Sequence, residues 1–163
     1  MTSVEIAGES VLLLPEKALY WPARDWLLVA DVHLGKSASF RAMGVPVPGG
    51  TTGETLARLD AAIARVSPRE IVFLGDFLHS RQARTPGVLE AAAAWRATHA
   101  GLAMTLVRGN HDRHAGDPPA ALRIDTVGEP FTAGPFVLCH HPEPRAEGYV
   151  LAGHLHPAVR VSG

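Results

Sequence analysis

Three apolar runs, at residues 26–30, 71–74 and 103–107, each stop at a turn that carries aspartate, asparagine or histidine. Continuous apolar runs of this length, rather than alternating ones, mark strands buried on both faces. Between the first two, Leu56, Leu59, Ile63 and Val66 recur at helical spacing, Thr51 or Thr52 offers a cap, and Pro68 closes the segment, which predicts a helix over 51–65. A second helix is predicted over 87–100, before the third run. Strand, polar loop, helix, strand is the order of an α/β sheet with right-handed crossovers, in which ligands gather outside the carboxyl ends of the strands. The polar loops are therefore expected to face one another.

Residues 11–14 and 18–20 predict a short opening hairpin. After Asp117 the helical pattern fades, and short strands near residue 124 and at 136–138, 149–152 and 159–161 predict a second, mostly antiparallel sheet. Two of these again end in histidine: 136–138 leads through Cys139 to His140-His141, and 149–152 leads to Gly153-His154-Leu155-His156. A chain of 163 residues suits one domain over 1–163 with a sizeable core. Proline and glycine cluster at 44–53, 117–119 and 142–148, which read as surface loops rather than linkers.

A net charge of −1 and a pI near 6.7 exclude the broad basic field of a protein that holds nucleic acid by charge alone, so any such contact has to be local. The single thiol, Cys139, rules out an internal disulfide framework and fits a small buried residue in a reducing compartment, with a cytoplasmic address. No signal peptide pattern opens the chain, and no run approaches the roughly 18 apolar residues of a membrane span, so no membrane partner is expected.

Of nine histidines, only His99 falls on a predicted helix; the rest sit in or beside the predicted loops. Asp31 and His33, like His154 and His156, are two apart, and in an extended segment such side chains point the same way and can grip one ion. Asp31, His33, Asp76, Asn110, His140, His154 and His156 are seven candidate ligands, too many for a tetrahedral zinc site and apt for two ions sharing a carboxylate, for which Asp76 is the choice. Carboxylate, amide oxygen and imidazole together suit Mn²⁺, Fe²⁺ or Zn²⁺ better than Ca²⁺ or Mg²⁺. His140 and His141 compete for one position, and His140 is favoured because it leaves the strand first. His79 and His114 read as exposed loop residues, with a supporting or substrate-contacting role as the alternative. Trp21, Trp26 and Trp95 read as packing residues.

Asp31-Val32-His33, Gly75-Asp76, Gly109-Asn110-His111-Asp112, His140 and Gly153-His154-Leu155-His156, in that order, resemble the signature of the calcineurin-like metallophosphoesterases. The resemblance implies an αββα sandwich of two sheets flanked by helices, and two divalent ions, Mn²⁺ foremost. It assigns Asp31, His33, Asp76 and His156 to one ion, and Asp76, Asn110, His140 and His154 to the other. His111 is implied to stay unligated beside the substrate, where it could protonate the leaving oxygen, with Asp112 orienting that imidazole or stiffening the loop. No organic cofactor is implied. Leu19-Tyr20-Trp21-Pro22, Ala30-Asp31-Val32-His33-Leu34-Gly35-Lys36 and Gly153-His154-Leu155-His156-Pro157-Ala158 resemble more narrowly the ligase-associated phosphodiesterase (PdeM) family. Members of that family are described as DNA damage response endonucleases that accompany a DNA ligase, a helicase and an exonuclease, which implies a repair context and DNA as a substrate.

The chemistry implied is hydrolysis of a phosphodiester: two divalent ions outweigh their two carboxylates, leaving a positive hole for phosphate, and acidify water for in-line attack. Lys36, Arg41, Arg81 and Arg113 are candidates to touch flanking phosphates. The same core serves nucleotide pyrophosphatases, cyclic-nucleotide phosphodiesterases and phosphomonoesterases, and the fold also serves as a non-catalytic interaction module. Gly75-Asp76 is followed by Phe77-Leu78-His79-Ser80, which lacks the continuation found in protein serine/threonine phosphatases. Only seven residues follow His156, so the second sheet is expected to be open to completion by further sequence or a partner chain.

Overall fold

In the computed structural model, which describes residues 1–47 and 50–156, each apolar run becomes a strand and their order along the chain is their order in space. β1 (Thr2–Ile6), β2 (Glu9–Leu14), β3 (Ala18–Trp21) and β4 (Trp26–Ala30) form an antiparallel meander. β5 (Glu70–Leu74), β6 (Ala103–Val107) and β7 (Asp125–Val127) then add to the same edge, each parallel to the last. Because successive parallel strands extend one edge, right-handed crossovers place their helices on one face. α1 (Lys36–Ala42) and α2 (Thr51–Val66) join β4 to β5, α3 (Pro86–Thr98) joins β5 to β6, and α4 (Asn110–Ala115) opens the connection to β7.

The strands' period of two divides the core. Leu27 and Val29, Ile71 and Phe73, and Met104 and Leu106 face the helices, where they meet Leu56, Leu59, Val88, Ala92 and Trp95. Their neighbours Leu28, Val72, Leu74 and Val107 face the opposite way, onto a second sheet of β8 (Phe131–Ala133), β9 (Phe136–Cys139) and β10 (Tyr149–Ala152). Each such side chain, fully buried, contributes about 1.5–3 kcal/mol of transfer free energy. Trp21 seals this second layer, edge-on to Phe136 with centroids 4.8 Å apart. On the helical side, Trp95 donates to the Asp60 carboxylate (2.7 Å) and ties α3 to α2. The buried Arg96 guanidinium donates to the carbonyls of Leu122 (2.7 Å), Leu102 (3.1 Å) and His99, satisfying acceptors beyond the end of α3. The fold is thus the expected two-sheet sandwich flanked by helices. No described helix is long and apolar enough to cross a membrane.

Several local expectations are corrected. The opening hairpin is part of a meander, because Thr2–Ile6 pairs with β2 although its composition is largely polar. The strand near residue 124 joins the large sheet beside β6 rather than the second sheet. Within the second sheet, β8 runs antiparallel to β9 but β10 runs parallel to it, so that sheet is mixed. Gly50, in a left-handed conformation, occupies the N-cap of α2 in place of Thr51 or Thr52. The strand expected at 159–161 lies outside the described residues.

Candidate metal centre

Strand register brings the candidate ligands together. Ala30 pairs with Leu74, and Leu74 with Val107, so the large sheet delivers Asp31, Gly75-Asp76 and Arg108-Gly109-Asn110 at one level. Ala152 pairs with Cys139, so His140 and Gly153-His154 leave the small sheet side by side. The first two loops continue together, with His33 N–H donating to the Asp76 carbonyl (2.8 Å) and Leu34 N–H to that of Phe77 (2.9 Å).

The extended backbone expected at Asp31–x–His33 and His154–x–His156 is not what the chain adopts. Asp31, His33, Asp76, His154 and His156 all have positive φ, between 44° and 71°. Each is a non-glycine residue in the left-handed region, a strain on the order of 1 kcal/mol or more apiece, and such strain concentrates at functional sites. The kinks turn these side chains inward where a straight segment would carry them past one another. Two glycines make the close approach possible: a Cβ on Gly75 would stand 2.1 Å from Nδ1 of His140, and one on Gly109 would stand 2.5 Å from Oδ1 of Asp76.

The polar atoms form two adjoining groups. In one, His33 Nε2 and His156 Nε2 lie 3.2 Å apart, with the Asp31 carboxylate close enough to share an ion with both. In the other, the fully buried His140 presents Nε2 at 2.8 Å from Asn110 Oδ1, 3.1 Å from His154 Nδ1 and 3.5 Å from Asp76 Oδ2. Nδ1 of His140 faces the Leu74 carbonyl (3.2 Å), which requires the proton on Nδ1 and leaves Nε2 with a lone pair. With that tautomer a lone pair, an amide oxygen and a carboxylate oxygen converge, a donor set that suits a cation. Asp31 Oδ1 gives the same sign, being buried without a hydrogen-bond partner among the described residues, while Oδ2 accepts the His154 N–H (2.9 Å). Asp76 Oδ2 stands between the groups, 3.9 Å from His33 Nε2 and 3.5 Å from His140 Nε2. The residues present therefore fit divalent metal.

His111 sits beside these groups without joining either. Its Nδ1 donates to the His79 carbonyl (2.6 Å) and its Nε2 lies 3.8 Å from Asp76 Oδ2, so the proton-accepting nitrogen is turned toward the site. Asp112 does not touch that imidazole. Its buried carboxylate accepts the backbone N–H groups of Asp76 (2.7 Å), Phe77 (3.0 Å) and Gly109 (2.8 Å), tying two ligand loops together. Of the two roles expected, these contacts match the stiffening of the loop and not the orienting of the imidazole. Burial pushes its carboxyl above the usual range despite these donors. Burial, reinforced by His79, His111 and His156, likewise holds the His33 imidazole down to about 3, keeping it a neutral donor.

His140, fully buried, approaches Asn110, His154 and Asp76, while His141 stands close enough to His140 and His154 to complete a three-histidine group. His141 is engaged by Glu129, whose carboxylate accepts from its Nδ1 (2.7 Å) and from the N–H groups of His140 (2.8 Å) and His141 (3.1 Å). Burial raises that carboxyl, but these donors outweigh it and hold it below the ordinary value. Glu129 had no signal in the sequence, since nothing near it repeats or spaces like a ligand. His79 is no exposed loop residue: it is half-buried, stacked on His111 with centroids 5.2 Å apart and near His33. His114 is exposed, bonded to the Asn110 carbonyl. Among the cationic candidates, Arg113 approaches Glu129 (3.9 Å), Arg41 and Arg81 are exposed, and Lys36 lines a cleft beside Asp31 and His33.

No protein-family model matches the chain, and none of the curated proteins does. A solved structure does: the crystal structure of Pseudomonas putida nuclease MPE is 49% identical, with a TM-score of 0.87 over 96% of this chain and 74% of that one. The chain belongs to the family of that nuclease. Membership agrees with the mixed α/β sandwich and with three groups, among the described residues, of aspartate and histidine side chains that could hold metal, Asp31-His33-His156, Asp31-Asp76-His140 and His140-His141-His154.

Proposed function

We propose that this chain is a metal-dependent nuclease of the metallophosphoesterase superfamily, closest in kind to the ligase-associated phosphodiesterases, acting as one domain over 1–163. The observation that carries the reading is the convergence of uncompensated acceptor atoms on either side of Asp76 Oδ2. Asp31, His33, Asp76 and His156 would hold one divalent ion, and Asp76, Asn110, His140 and His154 a second, with Mn²⁺ favoured and Fe²⁺ or Zn²⁺ compatible with the same donors. When bound, such ions supply positive charge for a phosphate group and acidify water near neutral pH. His111, its Nδ1 committed to the His79 carbonyl, offers Nε2 to hold a proton for the departing oxygen. Asp112 and Glu129 keep the ligand loops in place. DNA in a repair setting, beside a ligase, a helicase and an exonuclease, is the substrate context that the resemblance supports.

Elemental analysis of purified protein, joined to a substrate panel with added Mn²⁺, tests this. Close to two ions per chain and cleavage of an oligodeoxynucleotide and an activated diester are expected. Preference for a phosphomonoester, a cyclic nucleotide or a nucleotide diphosphate would move the assignment within the same chemistry. Full metal content with no turnover on any of them would overturn it in favour of an interaction module.

A further inference from the structure

The chain contains two lysines against thirteen arginines, and both lysines line one cleft. This cleft, of about 910 Å³, is lined by Asp31, His33 and His156 together with residues of the β2–β3 turn, the end of β4, α1 and α2. Lys17 stands in the turn, Lys36 at the start of α1 and Arg58 on α2. Among the described residues, the side chains of Lys17, Lys36 and Arg58 make no hydrogen bond or ion pair, and Asp31 is the sole acidic residue in the described lining. Three uncompensated cations in a protein of net charge −1 are a local anion field of the kind its overall balance does not supply. The wall also carries the hydroxyls of Ser37 and Thr51, bonded to one another at 2.5 Å, and an apolar stretch of Val29, Phe40 and Val47.

Cations and hydroxyls in the lining and an apolar surface, joined to a site for a phosphodiester, match the alternation of phosphate, sugar and base along a nucleic-acid strand. The volume lies in the upper part of the range of about 300–1,000 Å³ for small-molecule sites, enough for a nucleotide and its next phosphate. We infer that the cleft seats the nucleotide adjoining the scissile phosphodiester, with Lys17 and Arg58 holding its distal phosphate. This rests on the nuclease reading. Lys17 and Arg58 reach no candidate ligand, so they would act on strand binding and not on the bond broken.

The test uses the full chain loaded with Mn²⁺ and the variants Lys17→Ala, Arg58→Ala and their combination, each first checked for an unchanged melting temperature. Against a short labelled oligodeoxynucleotide, each substitution should raise KM roughly five- to tenfold with kcat little changed, and lower the slope of log affinity on log salt by about 0.7–0.9 per charge removed. Against bis(p-nitrophenyl) phosphate, which has no second phosphate for Lys17 and Arg58 to hold, turnover should stay at the wild-type value. Equal losses on both substrates, or no loss on either, would overturn the inference. If the wild type cleaves neither substrate, the nuclease reading fails, and fluorescence anisotropy of the same oligonucleotide still decides the cleft: weakened binding by the variants supports it, and unchanged binding rejects it.

Discussion

At Asp76 a single oxygen serves two neighbourhoods, and the side chains around it divide into those that would hold cations and those that hold the holders. His111 belongs to neither set while Glu129 belongs to the second, so their substitutions should behave differently. His111→Ala should lower kcat by about 10²- to 10⁴-fold, the usual worth of a positioned acid or base, with metal content unchanged by elemental analysis. Unchanged turnover would remove its assigned role. Glu129→Gln withdraws charge from the N–H groups of His140 and His141 and from the His141 ring. The expected effect is a loss of about 10- to 100-fold in metal affinity, read by chelator competition, with kcat at saturating metal near the wild-type value. A fall in kcat that excess metal does not restore would place Glu129 in the chemistry instead.

At the level of elements, the site exists because Ala30, Leu74 and Val107 end in register and each is followed at once by a turn. Gly75→Ala would set a methyl group against the His140 ring at a position where φ is already 79°. It should cost about 1–3 kcal/mol in denaturant unfolding and release metal, and a wild-type midpoint with full metal content would contradict the packing described. These strand ends were legible in the sequence because apolar runs buried on both faces stop sharply at polar residues. So were the seven candidate ligands and the long helices α2 and α3, whose apolar spacing repeats over several turns. The short helices α1 and α4 were not, since seven and six residues give no periodicity and both begin inside the polar loops. Nor could local pattern assign β7 to the large sheet, because pairing with β6 is a long-range choice. The left-handed kinks at Asp31, His33, His154 and His156 leave no mark in side-chain order, and the proximity of Glu129 to His140 depends on the folded chain.

Across the whole molecule, stability and metal content should be linked. Divalent metal at 100 times its Kd stabilises the folded state by about 2.7 kcal/mol. For a chain of this size that is a rise of roughly 5–10 °C in melting temperature, reversed by a chelator, and calorimetry with and without chelator checks it. The metal-free protein should also weaken in acid. His33 is held near 3 by burial and by its histidine neighbours, against 6.5 in the unfolded chain. Below about 6.5 the unfolded chain takes up a proton that the folded one refuses, so stability is full above that value and falls as pH drops toward 3. His33→Asn in the metal-free protein should flatten this part of the profile, and a profile identical to the parent would contradict the burial assigned to that ring. Asp31, Asp76 and Asn110 come from one sheet and His140, His154 and His156 from the other, so the distance between the halves of the centre is set by Trp21, Phe136 and Leu138 packed between the layers. The hydrophobic filling would thereby act as a spacer for any ions held there: trimming a methylene in it, well away from any phosphate, would retune which cation fits.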